Sequence, residues 1–266
     1  MITDRTFLWL AQAFYAVSCV LTLRRLRTGG SGASLQRLNY AAMAVGFVLH
    51  TVFLYLRGQA VGRCPLTNLF ETQAFIAWAA VLFFLLIGPS YRVSFLGAFT
   101  APLVLLICLA ALTLLADVVQ AQPATRSAWV EFHAAIAILA SGAFALAFVT
   151  GAMYLHQESQ LKRRRLSSSF LLLPSIEQLD TINIRLLILG FVMLTIGMLG
   201  GLVSYHIVGH WTKPKIIWAV SVWILYGALV LGRGIWALRG RKVAVASMAS
   251  FALMLAGFWG VSLIWP

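Results

Sequence analysis

The chain has 266 residues, 61% of them hydrophobic and 10% charged, with a mean hydropathy of +0.91. Soluble domains carry about 25% charged residues, so a water-soluble globule is excluded and the chain reads as an integral membrane protein. Twenty basic residues against seven acidic ones give a net charge of +13, but the cations fall at the ends of apolar runs and gather on no soluble face, which points to the lipid bilayer and away from nucleic acid.

The apolar runs are about 20 residues long, enough to cross a roughly 30 Å hydrocarbon core as helices and too long for barrel strands. The first span is expected at about 7 to 23, closed by Arg24-Arg25-Leu26-Arg27 and a glycine-rich turn. Its basic cluster follows the apolar core, the reverse of a signal peptide, so it reads as a retained helix. Span two, about 38 to 56, carries His50 deep in the apolar zone, and an outer loop is expected from Arg57 to Pro65. Span three, about 66 to 87, opens with Asn68 and Glu71 at capping-box spacing. Gly88-Pro89-Ser90 turns the chain into span four, about 93 to 116.

Span five is expected at about 129 to 155, with His133 one turn inside it. It leaves through His156 into the Lys162-Arg163-Arg164-Arg165 cluster, the strongest cytoplasmic anchor. The inner segment 159 to 182 contains a second capping box, Ser175 with Gln178, and is expected to form a short interfacial helix. Spans six, seven and eight, about 184 to 205, 215 to 238 and 243 to 264, complete a single all-α bundle of eight transmembrane helices. No internal repeat and no separate soluble domain are expected. Basic residues divide fourteen to six between the two sides, which puts both termini on the outer face.

Several chemistries are absent from the sequence. Cys19, Cys64 and Cys108 form no Cys-x-x-Cys pair, so the chain is neither a dithiol oxidoreductase nor a c-type cytochrome. No phosphate-binding glycine loop, zinc-protease motif or nucleophile elbow is present. No acidic pair lies within a span, which disfavours a pump or ion-coupled carrier. The residues do not describe an enzyme.

The histidines and the outer loop carry what polar chemistry remains. His50 must either bond to a neighbouring helix or ligate something. His133 is either an interfacial imidazole or an iron ligand. His206 and His210, four residues apart, share a face if the helix continues past Gly209. The stretch from His206 to Trp218 also gathers Trp211, Lys213, Lys215 and Trp218, in a chain where charge is scarce. Those tryptophans suit an interfacial aromatic belt as well as a ligand wall. Lys213 and Lys215 stand on the outer side against the charge rule, as snorkelling side chains or as partners of a dianion such as haem propionates, with Arg57 and Arg63 as possible helpers.

These motifs together resemble the cytochrome c assembly (CcsA/CcmC) family, and within it the short HemX/YpjD-type inner-membrane members. The resemblance rests on four stretches: Leu49-His50-Thr51; Pro65 to Glu71 leading to Ala77-Trp78; Trp129 to His133 continuing to Tyr154-Leu155-His156-Gln157-Glu158; and Leu173 to Asp180 through Asn183 to Phe191. It implies a bacterial inner-membrane protein that binds haem b and handles or presents it during cytochrome c maturation, beside other maturation proteins. His50 matches the family's histidine within the membrane, and His133 its first outer haem-ligand histidine. Trp211-Thr212-Lys213-Pro214-Lys215, with Trp218 and Trp223 after it, matches the tryptophan-rich loop.

The departures are equally specific. Lys213 replaces the loop's aspartate, Leu231 stands where a second membrane histidine is expected, and the second outer histidine has no counterpart. If haem binds outside, the resemblance leaves His133 as the fifth ligand, with His206 or His210 as the sixth. The alternative is a scaffold or regulatory subunit of another membrane complex that has lost the cofactor.

Overall fold

The computed structural model describes residues 4–28, 33–66, 68–88, 96–115, 128–164, 174–208, 213–235 and 238–264, with side chains excluded at 26–28, 33, 204–208 and 263. The described residues form eight helices and no strand. They are α1 (Asp4–Thr28), α2 (Ala33–Val61), α3 (Leu69–Ile87), α4 (Leu96–Leu114), α5 (Ala128–Lys162), α6 (Ile176–Val208), α7 (Lys213–Ile235) and α8 (Arg241–Ile264). All eight are long and apolar enough to cross a membrane. Large apolar side chains such as Val48, Tyr55, Leu86, Leu106, Leu199 and Ile217 stand exposed around the bundle, an arrangement that water would penalise and acyl chains satisfy.

Both capping signals are realised. Asn68 Oδ1 accepts from the Glu71 backbone N–H at 2.7 Å and starts α3. The Glu71 carboxylate binds Arg57. Ser175 and Gln178 form the full reciprocal box, with both bonds at 3.2 Å. That box opens α6 itself, so α6 begins at Ile176 and not near 184, and the residues from 176 to 182 belong to a spanning helix. The rest of the expected interfacial helix, 165 to 173, lies outside the described residues.

A second difference concerns Arg57. It is expected to begin an outer loop, but α2 continues to Val61 and carries Arg57 in its last turns. The helix can continue because the guanidinium is neutralised where it stands, by Glu71 at 3.0 Å and Asp4 at 3.3 Å.

The helices pack as two four-helix units. In the first, α1 pairs with α2 and α4, and α3 packs against both α2 and α4; in the second, α5 pairs with α6 and α8, and α7 packs against both α6 and α8. Helix α5 also lies against α3 and α4 and joins the units. The seam is tight, since a Cβ on Gly142 of α5 would run into the Ala79 side chain and the backbone at Ala80.

No repeat is expected from the sequence, yet the two units share their anchoring contacts. Asn39 Nδ2 donates to the Ser18 carbonyl at 2.9 Å and to Thr22 Oγ1 at 2.6 Å. Asn183 Nδ2 likewise donates to the Ala147 carbonyl at 2.6 Å and to Thr150 Oγ1 at 3.1 Å. About two turns on, Gly46 receives the Tyr15 ring and Gly190 the Phe144 ring, and a Cβ on either glycine would fall 2.5 Å from a ring carbon. Trp78 Nε1 donates to Thr51 Oγ1 at 2.8 Å, and Trp223 Nε1 to Thr195 Oγ1 at 3.0 Å. Phe47 and Phe191 flank these indoles at centroid distances of 5.2 and 5.6 Å.

Asn39, Gly46-Phe47-Val48 and Thr51 therefore recur as Asn183, Gly190-Phe191-Val192 and Thr195 with the same spacing. Four spans per unit give both units the same orientation, a parallel repeat. Elsewhere one apolar residue replaces another along the two helices, which hides the period.

Candidate functional site

Call the end of the bundle where α1 starts and α8 finishes the terminal end. His133, in the second turn of α5, is half-buried there against α6, and its Nδ1 meets the Gly197 carbonyl. A carbonyl can only accept, so Nδ1 carries the proton and the lone pair sits on Nε2, the arrangement that prepares an imidazole to bind a metal. The ring lies on bare backbone: a Cβ at Gly201 would come within 2.9 Å of Cε1 and 3.1 Å of Nδ1. At Gly200 the nearest atom to a would-be Cβ is the His133 Cβ, at 3.4 Å, and not the ring. Trp129 shares a face of α5 with His133. It is exposed and meets Phe132 edge-on at 6.3 Å.

His50 has the opposite environment. Its exposure is 0%, so not even a water-sized space lies against the ring. The Tyr15 hydroxyl is 3.3 Å from Nδ1 and Phe53 packs at 5.9 Å. The Ala74 carbonyl approaches the ring, but Nε2 makes no hydrogen bond of standard geometry. This imidazole ties α1 to α2 inside a closed core and offers no edge to a macrocycle. His50 and His133 belong to different units and are not brought together. The residues around His133 fit a haem; those around His50 do not.

The outer loop is only partly described. Lys213 and Lys215 begin α7 and are exposed. Trp218, one turn on, is half-buried with its ring in the notch at Gly257 of α8, where any Cβ would collide with it. Its role is to pack α7 on α8, which removes it from a ligand wall. The side chain of His206, and His210 and Trp211 entirely, lie outside the described residues.

Arg57 is unavailable as a helper for an anion. It is 6% exposed, bridges Glu71 and Asp4, and lies 5.8 Å over the Phe70 ring, with Arg5 also over that ring at 5.0 Å. Arg63 lines an open cleft of about 760 Å³ between the end of α2 and the start of α5, with Gln59, Cys64, Pro65, Ala128 and Glu131. Burial and the Glu131 and Glu71 carboxylates push the Cys64 thiol up to about 11, so it stays protonated and unreactive at neutral pH. Among the described residues no group of three His, Cys, Asp or Glu side chains is placed to hold a metal ion.

Gly197 and Gly201 are not legible as site residues from the sequence alone. They show there only as part of a small-residue run on α6 at helical spacing, the usual mark of close approach between membrane helices.

Comparison with known proteins bears on the same region. Residues 66–265 match the family model described as Cytochrome C assembly protein. The chain is similar to a "Cytochrome c biogenesis protein CcsA" of Prochlorococcus marinus (strain MIT 9301), 28% identical over 243 residues that cover 82% of this chain and 79% of that protein. A protein of the same name from strain MIT 9303 is 27% identical over 269 residues, 89% of this chain and 84% of its own length. Another from Synechococcus sp. (strain CC9605) is 28% identical over 283 residues, 95% and 88% respectively.

Proposed function

The chain belongs to the cytochrome c assembly protein family, and from that premise we propose that it binds haem b at the terminal end of the bundle and presents it during cytochrome c maturation. The observation that carries this reading is the His133 imidazole, half-buried at the start of a spanning helix with its Nδ1 proton committed to the Gly197 carbonyl. Haem iron, when bound, supplies an electron-poor centre for the remaining nitrogen. The chain supplies the rest. The Gly197 carbonyl fixes the ring, Trp129 and Phe132 offer an apolar face, and Lys213 and Lys215 stand at the start of α7 as cations for carboxylate edges.

The role inferred for this arrangement is assembly and not catalysis. The chain is a multi-pass membrane protein; the bacterial inner membrane, with the terminal end facing outward, is the placement that the basic residues support. The partners are haem and other maturation proteins. A sixth ligand from His206 or His210 extends the same proposal. The scaffold alternative is not favoured, since the relatives are named for cytochrome c biogenesis.

An optical spectrum of protein purified with haem supplied tests the reading. A Soret band is expected, altered or lost in His133→Ala. Absence of the band in the wild type would sink haem binding, and an unchanged band in the variant would remove His133 from ligation.

A further inference from the structure

The repeat allows the haem-facing corner of the second unit to be compared with the same corner of the first. The equivalent contacts pair Tyr15 with Phe144 and Gly46 with Gly190. About three helical turns further toward the terminal end, Asp4 then pairs with His133 and Arg57 with Gly201. Stepping back about two turns from the equivalent indoles Trp78 and Trp223 pairs Glu71 with Ile216 and Phe70 with Lys215.

In the first unit these positions are filled. Arg57 crosses from α2 to Asp4 on α1 and Glu71 on α3, over the face of Phe70, and is 6% exposed. Every member of that plug is replaced in the second unit. The arginine is a glycine, one carboxylate is an imidazole lying on that glycine, the other carboxylate is an isoleucine, and the aromatic platform is an exposed lysine. A charged, self-satisfied corner has become one with a metal-binding nitrogen, apolar walls and a cation at its rim.

We propose that the two units carry the same ligand corner in two states, sealed by Arg57 in the first and kept receptive by Gly201 in the second, so that one haem is taken and only by the second unit. The corner suits a flat apolar macrocycle with an anionic edge, and this inference rests on the haem reading above. Gly201 is a positioning residue: it lets the His133 ring lie against α6 with Nδ1 on the Gly197 carbonyl, and it leaves out the side chain that seals the other corner.

The test is haem titration of the full-length protein in detergent, followed by Soret absorbance, for wild type, Gly200→Ala and Gly201→Ala. The Cβ at 201 displaces the ring, so affinity should fall about 10–100-fold, the usual cost of disturbing the residue that orients a metal ligand. The Cβ at 200 meets only ordinary contact and should leave binding unchanged. Wild-type affinity and spectrum in Gly201→Ala overturn the proposal while leaving the haem reading intact; a wild type that binds no haem removes the haem reading itself. Ile216→Cys guards against a Gly201 variant that does not fold. Bound haem should slow maleimide labelling of that thiol, with Leu202→Cys unaffected, and labelling at 216 that ignores haem overturns the proposal. A stoichiometry of two haems per chain would overturn it as well.

Discussion

The indole of Trp223 donates to the Thr195 hydroxyl at 3.0 Å, binding α7 to α6 two residues before the carbonyl that holds His133. Thr195 in turn donates to the Phe191 carbonyl at 2.8 Å, so its hydroxyl both accepts and donates. Trp223→Phe keeps the ring and loses one neutral bond, which should lower stability by about 0.5–1.5 kcal/mol. Trp78→Phe removes the equivalent bond to Thr51 and should cost a similar amount. Thermal unfolding of both variants in one detergent checks the equivalence; a large difference between them would count against the repeat.

Arg57 neutralises Glu71, a carboxylate that is 1% exposed. Arg57→Ala strands that charge and should destabilise the protein by about 3–5 kcal/mol, whereas replacing both residues by apolar side chains of similar volume should recover most of the loss. Denaturation midpoints of the single and double variants decide it. A double variant as unstable as the single would show that the guanidinium matters for more than its charge.

Gly46 and Gly190 each accept an aromatic ring at a distance that no real Cβ tolerates. Alanine at either position should overpack its helix pair and cost about 1–3 kcal/mol. Gly234, with nothing within 4 Å of its would-be Cβ, is the control, where alanine should be neutral or slightly stabilising. Melting temperatures of the three variants provide the comparison.

Cys64 has its thiol pushed up to about 11 by burial and two carboxylates. Alkylation should be slow at neutral pH and accelerate as pH rises toward 11, and Glu131→Gln should move the profile downward. Because the folded value lies above the unfolded one, the neutral thiol contributes stability below pH 9 that is lost as pH rises toward 11. Rates of iodoacetamide modification against pH check the position of the profile. A midpoint near that of a free thiol would show that the cleft is wetter than the lining of Arg63, Pro65 and Glu131 suggests.

Much of the helical framework was legible because its causes are local. Apolar length marks the spans, and Asn68 and Ser175 announce the caps that start α3 and α6 through side chains three residues apart. What was not legible depends on which side chains meet across the bundle. Arg57 reads as a free outer cation until Asp4 and Glu71, distant in sequence, are seen on either side of it. His50 and His133 look alike as lone histidines in apolar helices, but one is closed in by Tyr15 and Phe53 and the other lies half-buried against glycine. Trp218 matches an aromatic ligand wall by type, although the notch at Gly257 assigns it to packing. The repeat is not legible in the sequence because only the contacts reveal that Asn39 and Asn183 make equivalent bonds.

The close fit of Gly142 on Ala79 and Ala80 has a consequence for how the chain is made. Helix α5 opens the second unit, yet it also covers the face of α3 in the first. A ribosome that has delivered only four helices has therefore inserted a unit whose α3 still presents its small-residue side to lipid. Packing of the first half is complete only when the fifth helix arrives, so the earliest fully packed intermediate in biosynthesis should contain five helices and not four.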